Sequence, residues 1–270
     1  MSATPHDHDD FEYLRFERRD HHILLVTIDR PDSDLNAVDE RLHDELTHLF
    51  PVLQREREAR CIVLTGSGRA FSAGGDFDWF PTLQAPGRLE PLRQDGKNLI
   101  WDLLDVQIPI VAAVNGHAMG LAASIALLCD IIVVAQSARI GDPHVKVGIV
   151  AGDGGTVAWP LAVGPALAKQ YLLTGDPISA DEAHRLGMVN EVVPDDQCLE
   201  RALHWAGRIA ANAPMAVQYT KLAVNKLVKD ASNTAFDVAT ALEIVTFQSE
   251  DHAEALAAIR ERRDPEFHNR

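Results

Sequence analysis

Runs of aliphatic and β-branched residues alternate with segments of helical apolar spacing through the first two thirds of the chain. His22 to Asp29 (HILLVTID) reads as a buried strand, with Tyr13 to Arg18 as its pairing partner. Val38 to Arg57 places Leu42, Leu46 and Leu53 on or near one face and predicts a helix. Arg60 to Thr65 (RCIVLT) is a short apolar strand that ends in a Gly66-Ser67-Gly68 turn. Ile108 to Val114, closed by Asn115-Gly116, and Ile131 to Ala135 are further strands, with an apolar helix over Ala122 to Leu128 between them. Strands that alternate with helices predict an α/β core with mostly parallel pairing.

From about Asp195 the pattern becomes helical only, over Leu199 to Ala211, Pro214 to Lys229 and Ala235 to Arg263. The expected organisation is therefore an α/β core over 11–195 and a helical region over 196–270. The latter is too slender to bury a core of its own, so it must dock on its own core or on a neighbouring subunit. Residues 1–10 read as a polar, disordered tail rather than a signal peptide or a metal site built on His6, His8, Asp9 and Asp10. Ala85-Pro86-Gly87 predicts a mobile loop near the functional site.

Composition narrows the functional classes. The 270 residues are 46% hydrophobic and 24% charged, as in ordinary globular proteins, and no apolar run reaches membrane-spanning length. With 40 acidic against 25 basic residues, the formal net charge of −15 argues against a nucleic-acid or anionic-membrane surface. Arginine outnumbers lysine 19 to 6, so local phosphate contacts would come from arginine. Cys61, Cys129 and Cys198 are scattered and not at metal-ligand spacing; they read as reduced thiols, which fits the cytoplasm. No metal site and no separate cofactor are expected.

Two segments place glycines between a strand and a helix start. They are Gly68-Arg69-Ala70-Phe71-Ser72-Ala73-Gly74-Gly75-Asp76-Phe77 and Val114-Asn115-Gly116-His117-Ala118-Met119-Gly120-Leu121-Ala122-Ala123-Ser124. Small residues let a ligand approach the backbone, and one N–H from each loop could hold a carbonyl oxygen as it gains negative charge. Simple turns would use the same glycines. A third glycine-dense segment, Gly141 to Gly155, carries His144 and Asp153.

Four motifs in register change the picture. Leu35-Asn36-Ala37 after Asp29-Arg30-Pro31, Ala70-Phe71-Ser72-Ala73-Gly74-Gly75-Asp76, Ala112-Ala113-Val114-Asn115-Gly116 and Cys129-Asp130 together resemble the crotonase (enoyl-CoA hydratase/isomerase) family. The tail from Phe247 to Phe267 is similar to that family's C-terminal helix. The resemblance implies repeated ββα units and a helical C-terminal region used in assembly as a homotrimer or homohexamer. It implies a small-molecule acyl-CoA substrate, with coenzyme A present only as part of that substrate. Gly75 and Leu121 would supply the oxyanion-hole N–H groups, and Ala37 and Ala73 would hold the adenine end by backbone contacts. Leu121 departs from the usual glycine, but the role needs only its N–H.

The family's two catalytic glutamates are replaced here by Ser124 and His144. A serine hydroxyl is a poor base alone, whereas an imidazole titrates near neutral pH. A carboxylate on the ring would fix its tautomer, a part Asp153 could take. The stretch from His144 through Gly152-Asp153-Gly154, with Trp159-Pro160 and Leu172-Leu173-Thr174-Gly175, is also similar to oxocamphor-type β-diketone hydrolases of the same superfamily. There a histidine and an aspartate at this spacing form the catalytic dyad. Asp153 reads equally well as the N-cap of a helix starting near Gly154. Ser124 reads as a helix-face filler or a pocket residue, and His117 as structural or pocket-lining. Trp79 and Phe80 could line the acyl pocket or the core. Glu243 lies on a C-terminal helix that could reach a neighbouring site, but it reads first as part of a solvated face. The expected activity is acyl-CoA processing through an enolate, with His144 oriented by Asp153 as acid and base. The alternatives are C–C hydrolysis of a β-diketone and CoA binding without catalysis.

Overall fold

The computed structural model describes residues 7–270. β1 (Leu14–Arg19) pairs antiparallel with β2 (Ile23–Ile28), which is fully aliphatic on its inner face. After α1 (Glu40–Arg55), the parallel strands β3 (Cys61–Gly66), β5 (Ile110–Val114) and β7 (Ile131–Ala135) extend the sheet, and β10 (Glu191–Val193) closes it. The order in this six-stranded sheet is β1-β2-β3-β5-β7-β10. β3 and β5 are buried along their whole length, as expected for parallel strands covered on both faces.

A second, four-stranded sheet is too short to read from hydrophobic periodicity. It runs β4 (Ala70–Ser72), β6 (His117–Met119), β8 (Arg139–Gly141) and β9 (Ile178–Ser179), in that order. Each long parallel strand is followed by a short one: β3 by β4, β5 by β6, β7 by β8. Each pair then leads to a helix, α2 (Leu89–Asp105), α3 (Leu121–Leu127) or α4 (Gly155–Thr174). The ββα repetition implied by the motifs is thus present. Because β4, β6 and β8 pair in parallel, the segments that leave them lie side by side.

Asn36 locks the first of these segments. It is fully buried with φ 48°, a conformation asparagine tolerates better than most residues. Its Nδ2 donates to Ser67 O (2.9 Å) and Ala70 O (3.2 Å), and its Oδ1 accepts from Arg30 N (3.1 Å). This fastens the stretch before α1 to the β3–β4 turn and aligns Val38 beside Gly75.

The chain beyond β10 is helical, and it docks on its own core. α6 (Cys198–Ala210) covers the large sheet. The two helices expected over Pro214–Lys229 and Ala235–Arg263 are instead one 34-residue helix, α7 (Pro214–Phe247), followed by α8 (Glu250–Glu261). The stretch from Asp230 to Thr234 is polar but has no glycine or proline, and Ser232 Oγ donates to Val228 O within the helix (2.6 Å). The break falls at Ser249, whose side chain caps α8 by accepting from His252 N.

α7 is pinned by Lys221, whose Nζ donates to Ile108 O (3.1 Å) and pairs with Asp130 (2.7 Å). The N-terminal stretch also departs from expectation. Residues from Asp7 form a capped turn, and His8 stacks on Phe16 with ring centres 4.4 Å apart, which holds it to the core; His6 lies outside the described residues. Cys61, Cys129 and Cys198 are buried free thiols, as expected. Among the described residues, no helix is long and apolar enough to cross a membrane.

Asp130→Asn would leave the Lys221 ammonium buried without its charge partner. Removing one member of a buried pair typically costs about 3 kcal/mol or more. Denaturant unfolding should show a loss of that order; a change below about 0.5 kcal/mol, the size of an ordinary surface substitution, would mean the pair does not anchor α7.

Candidate active site

Gly75 and Leu121 occupy equivalent places, just beyond β4 and β6. In the Val38–Gly75 bridge the bonds run from Val38 N to Gly74 O (2.8 Å) and from Asp76 N to Val38 O (2.9 Å), so the Gly75 N–H takes no part. Leu121 opens α3, where a first-turn N–H has no partner within the helix. Among the described hydrogen bonds neither N–H has an acceptor, and both residues line one small cavity. Gly120 turns the chain between β6 and α3 with φ 56° and ψ −126°, in a region that side chains disfavour.

His144 follows β8 at the third equivalent place. Its ring is held from both sides. Nδ1 hydrogen-bonds to Asp142 Oδ1, and Nε2 lies 3.3 Å from Asp153 Oδ2. The side chains of Asp142, His144 and Asp153 are 0%, 12% and 17% exposed. Burial alone would lower the histidine pKa, but the two carboxylates outweigh it and hold it well above the ordinary range. The two carboxylates therefore favour the charged form of the ring. Asp142, His144 and Asp153 can each bring a donor atom within 4.8 Å of the others, the only such group among the described residues.

A third acidic group comes from α7. Glu243 is buried and lines the cavity, contrary to the solvated helix face expected for it. Thr240, Glu243 and Phe247 share one helical face, which α7 turns toward the site rather than to solvent. Burial, then the charge of Asp153, raise the Glu243 pKa well above the ordinary carboxylate range against the opposing pull of His144, which favours its protonated form. Trp79, Phe80, Leu83, Leu92 and Ile149 supply the apolar wall, and His43, pushed down to about 4 by burial, stands neutral beside Trp79. The cavity measures about 60 Å³ and adjoins an open groove of about 620 Å³ that shares His43, Trp79, Leu83 and Leu92 with it.

The remaining candidates separate cleanly. Ser124 is fully buried, its hydroxyl 3.5 Å from Gly120 O and packed toward Gly154; it does not line the cavity. His117 is exposed on β6 and accepts from Arg139 N through Nδ1, also away from the cavity. Asp153 is not the N-cap of α4, which Gly154 occupies without a side-chain bond. Ala37 O accepts from Arg30 Nη1 (2.6 Å) and Ala73 N donates to Leu35 O (2.9 Å), on the segments flanking Gly75. The turn Phe80–Gln84, ahead of Ala85-Pro86-Gly87, is tied to α7 by Gln84 Nε2 donating to Phe247 O (2.7 Å). Sequence reading missed Asp142, whose only signal was its place two residues before His144, and it placed Glu243 on a solvated face over the alternative of reaching a site, because nothing local in the sequence marks its burial.

Residues 18–270 match the family model for enoyl-CoA hydratase/isomerase. The chain belongs to that family. It is 35% identical over 251 residues to a short-chain-enoyl-CoA hydratase of Clostridium acetobutylicum, covering 92% of this chain and 95% of the relative. Among solved structures, an enoyl-CoA hydratase/isomerase from Mycobacterium paratuberculosis superposes with TM-score 0.85 at 39% identity, over 91% of this chain and 97% of the other. A β-diketone hydrolase from the cyanobacterium Anabaena sp. PCC 7120, bound to (S)-3-oxocyclohexyl acetic acid, superposes with TM-score 0.83 at 32% identity, over 88% and 95%. Family membership supports the acyl-CoA class of substrate without assigning a reaction to this site.

The raised pKa values of His144 and Glu243 set the pH dependence of stability. A group with a raised folded pKa stabilises fully below its unfolded pKa and loses that contribution as pH rises through the folded value. For His144 the loss begins near 6.5 and continues upward, so wild type should lose Tm faster than His144→Gln as pH rises above neutrality. For Glu243 it begins near 4.5, so Glu243→Gln should exceed wild type in Tm at neutral pH and converge with it toward pH 4.5. Thermal unfolding at a series of pH values reads both, and parallel curves for all three proteins would contradict the charge states described.

Proposed function

We propose that this chain is an acyl-CoA-processing enzyme that stabilises an enolate or oxyanion on the Gly75 and Leu121 N–H groups, with the His144–Asp153 pair moving the proton. The observation that carries this reading is the convergence of two unpartnered N–H groups and a carboxylate-bound imidazole on one cavity. The thioester oxygen rests on the two N–H groups. As a proton leaves the α-carbon, or water adds to the conjugated double bond, charge moves onto that oxygen, where fixed donors favour it without reorganisation. The pair takes the proton in its deprotonated form, with Nε2 of the neutral ring as the acceptor beside Asp153. Glu243 across the cavity, whose raised pKa favours its protonated form, is an acid able to return one.

The cavity has room for a few water molecules and not for an acyl chain. Substrate therefore comes through the adjoining groove and displaces the Trp79–Gln84 turn. With Ser124 buried outside the cavity and His144 at the other position, the two-glutamate hydration route has a carboxylate at neither place, and His144 and Glu243 take its part in this reading.

A second reading is favoured by the His144–Asp153 contact together with the likeness to the Anabaena hydrolase. Here the pair takes a proton from water and the hydroxide adds to one carbonyl of a β-diketone. The C–C bond then breaks, and the enolate left on the second carbonyl is held by Gly75 and Leu121 before protonation. Turnover of an enoyl-CoA panel and a cyclic β-diketone panel by wild type and His144→Ala separates the two, with acetyl-CoA binding by calorimetry as a companion. CoA-ester turnover lost in His144→Ala supports the first reading. Diketone turnover without CoA affinity supports the second, and CoA binding with neither turnover leaves a non-catalytic protein.

Leu121→Pro tests the hole itself. Proline is tolerated at a first helical position, so the change removes the N–H while keeping α3. Loss of one such donor should lower kcat by about 10²–10³-fold with an unchanged circular dichroism spectrum. A fall of less than about fivefold would exclude this N–H from the reaction.

The exposed apolar side chains of α7, among them Tyr219, Leu227, Leu242 and Val245, support contact between copies of this chain, in the homotrimer or homohexamer the family resemblance implies. Light scattering during size exclusion should give a trimeric or larger mass, and a monomer would end this part of the reading.

A further inference from the structure

We propose that Asp142 is the positioning residue of this site, holding His144 through Nδ1 so that the mobile proton is confined to Nε2, between the ring and Asp153. The inference rests on His144 being the acid/base, and it divides the two carboxylates by role. His144 and Asp153 line the cavity, whereas Asp142 does not. Asp142 therefore acts only through the ring.

The surroundings of Asp142 are those of a fixed group. It directly follows β8, whose last residue pairs with Met119 and accepts from Gly120 N (2.9 Å). The strand that positions the Asp142 carboxylate thus also positions Gly120, the residue before the Leu121 N–H. Asp142 is 1% exposed. Its second oxygen, Oδ2, is buried without a hydrogen-bond partner. A Cβ on Gly155 would stand 2.0 Å from that oxygen, so the first residue of α4 has to be glycine for the carboxylate to lie where it does. The positive end of the first segment of α4, which runs from Gly155 to a kink at Gly164 (φ 77°), lies there and favours the negative charge.

Asp153 is placed differently. Its Oδ1 is likewise buried without a hydrogen-bond partner, but it stands between Gly152 and Gly154, the latter at φ 118°, and it lines the cavity, which Asp142 does not. The groups that face the ring are Asp142 and Asp153 from the segments around it, Glu243 from α7, and the Gly120 backbone at the start of α3. With Nδ1 committed to a buried anion, Nε2 is the one ring nitrogen that exchanges a proton with the cavity. A ring fixed in this tautomer needs no rearrangement between taking a proton and returning it.

Nitrogen-15 NMR of the histidines in the intact protein, with His144 assigned by its loss in His144→Gln, tests the division directly. The expected result is an Nδ1 that stays protonated throughout a pH titration and an Nε2 that titrates. Asp142→Asn should move the titration midpoint to lower pH and lower kcat on the order of 10²-fold or more, with KM changed less than about twofold. Asp153→Asn should leave the Nδ1 proton in place. An Nδ1 that deprotonates first, or a midpoint that Asp142→Asn leaves unmoved, would overturn the assignment. The wild-type spectrum stands even if the variants fold poorly. Should His144→Ala retain full turnover, the functional reading fails while the NMR result still reports on Asp142.

Discussion

The parallel pairing of three very short strands is the constraint on which the site depends. β4, β6 and β8 lie edge to edge, so the backbone leaving each is held at strand spacing from the next. Gly75, Leu121 and His144 come from distant parts of the chain, yet each is among the first few residues beyond its strand. Two carry backbone N–H groups, and the third carries an imidazole held between two carboxylates. The large sheet sets these positions indirectly, because each short strand continues a long parallel one buried in the core.

Electrostatics then decides what the site can do. Two carboxylates around one imidazole favour its charged form despite burial, and burial with the same negative field favours the protonated form of Glu243. α7 is essential to this arrangement. Val150 N donates to Thr246 Oγ1 (3.0 Å) and His252 Nδ1 bonds to Val147 O (2.7 Å), so α7 and α8 clamp the same segment that bears His144. The helical C-terminal region thus completes the cavity of its own subunit.

Much of this was legible in the linear pattern. The long strands announce themselves as runs of aliphatic residues, because both faces of a parallel sheet are buried. Motif spacing singled out Gly75 and Leu121, and the resemblance singled out His144 as standing where the family has a glutamate; that the three residues meet at one cavity was not visible in the sequence. The short strands were not legible, since two or three residues carry no periodicity. The continuity of α7 was obscured by the polar stretch from Asp230 to Thr234, which a helix accepts when its neighbours pack.

The amino-acid order by itself determined the α/β class, the repeat of strand and helix, the family, and the presence of a histidine and an aspartate in a glycine-rich segment. Those properties rest on local spacing and composition, which a chain carries before it folds. Only the tertiary structure decided that Asp142 takes one ring nitrogen and Asp153 the other, that Ser124 and His117 stand aside, and that Glu243 turns inward. These depend on distances between segments far apart in sequence and on how much water each group keeps. Burial and charge pairing arise only when sheets and helices close around the site.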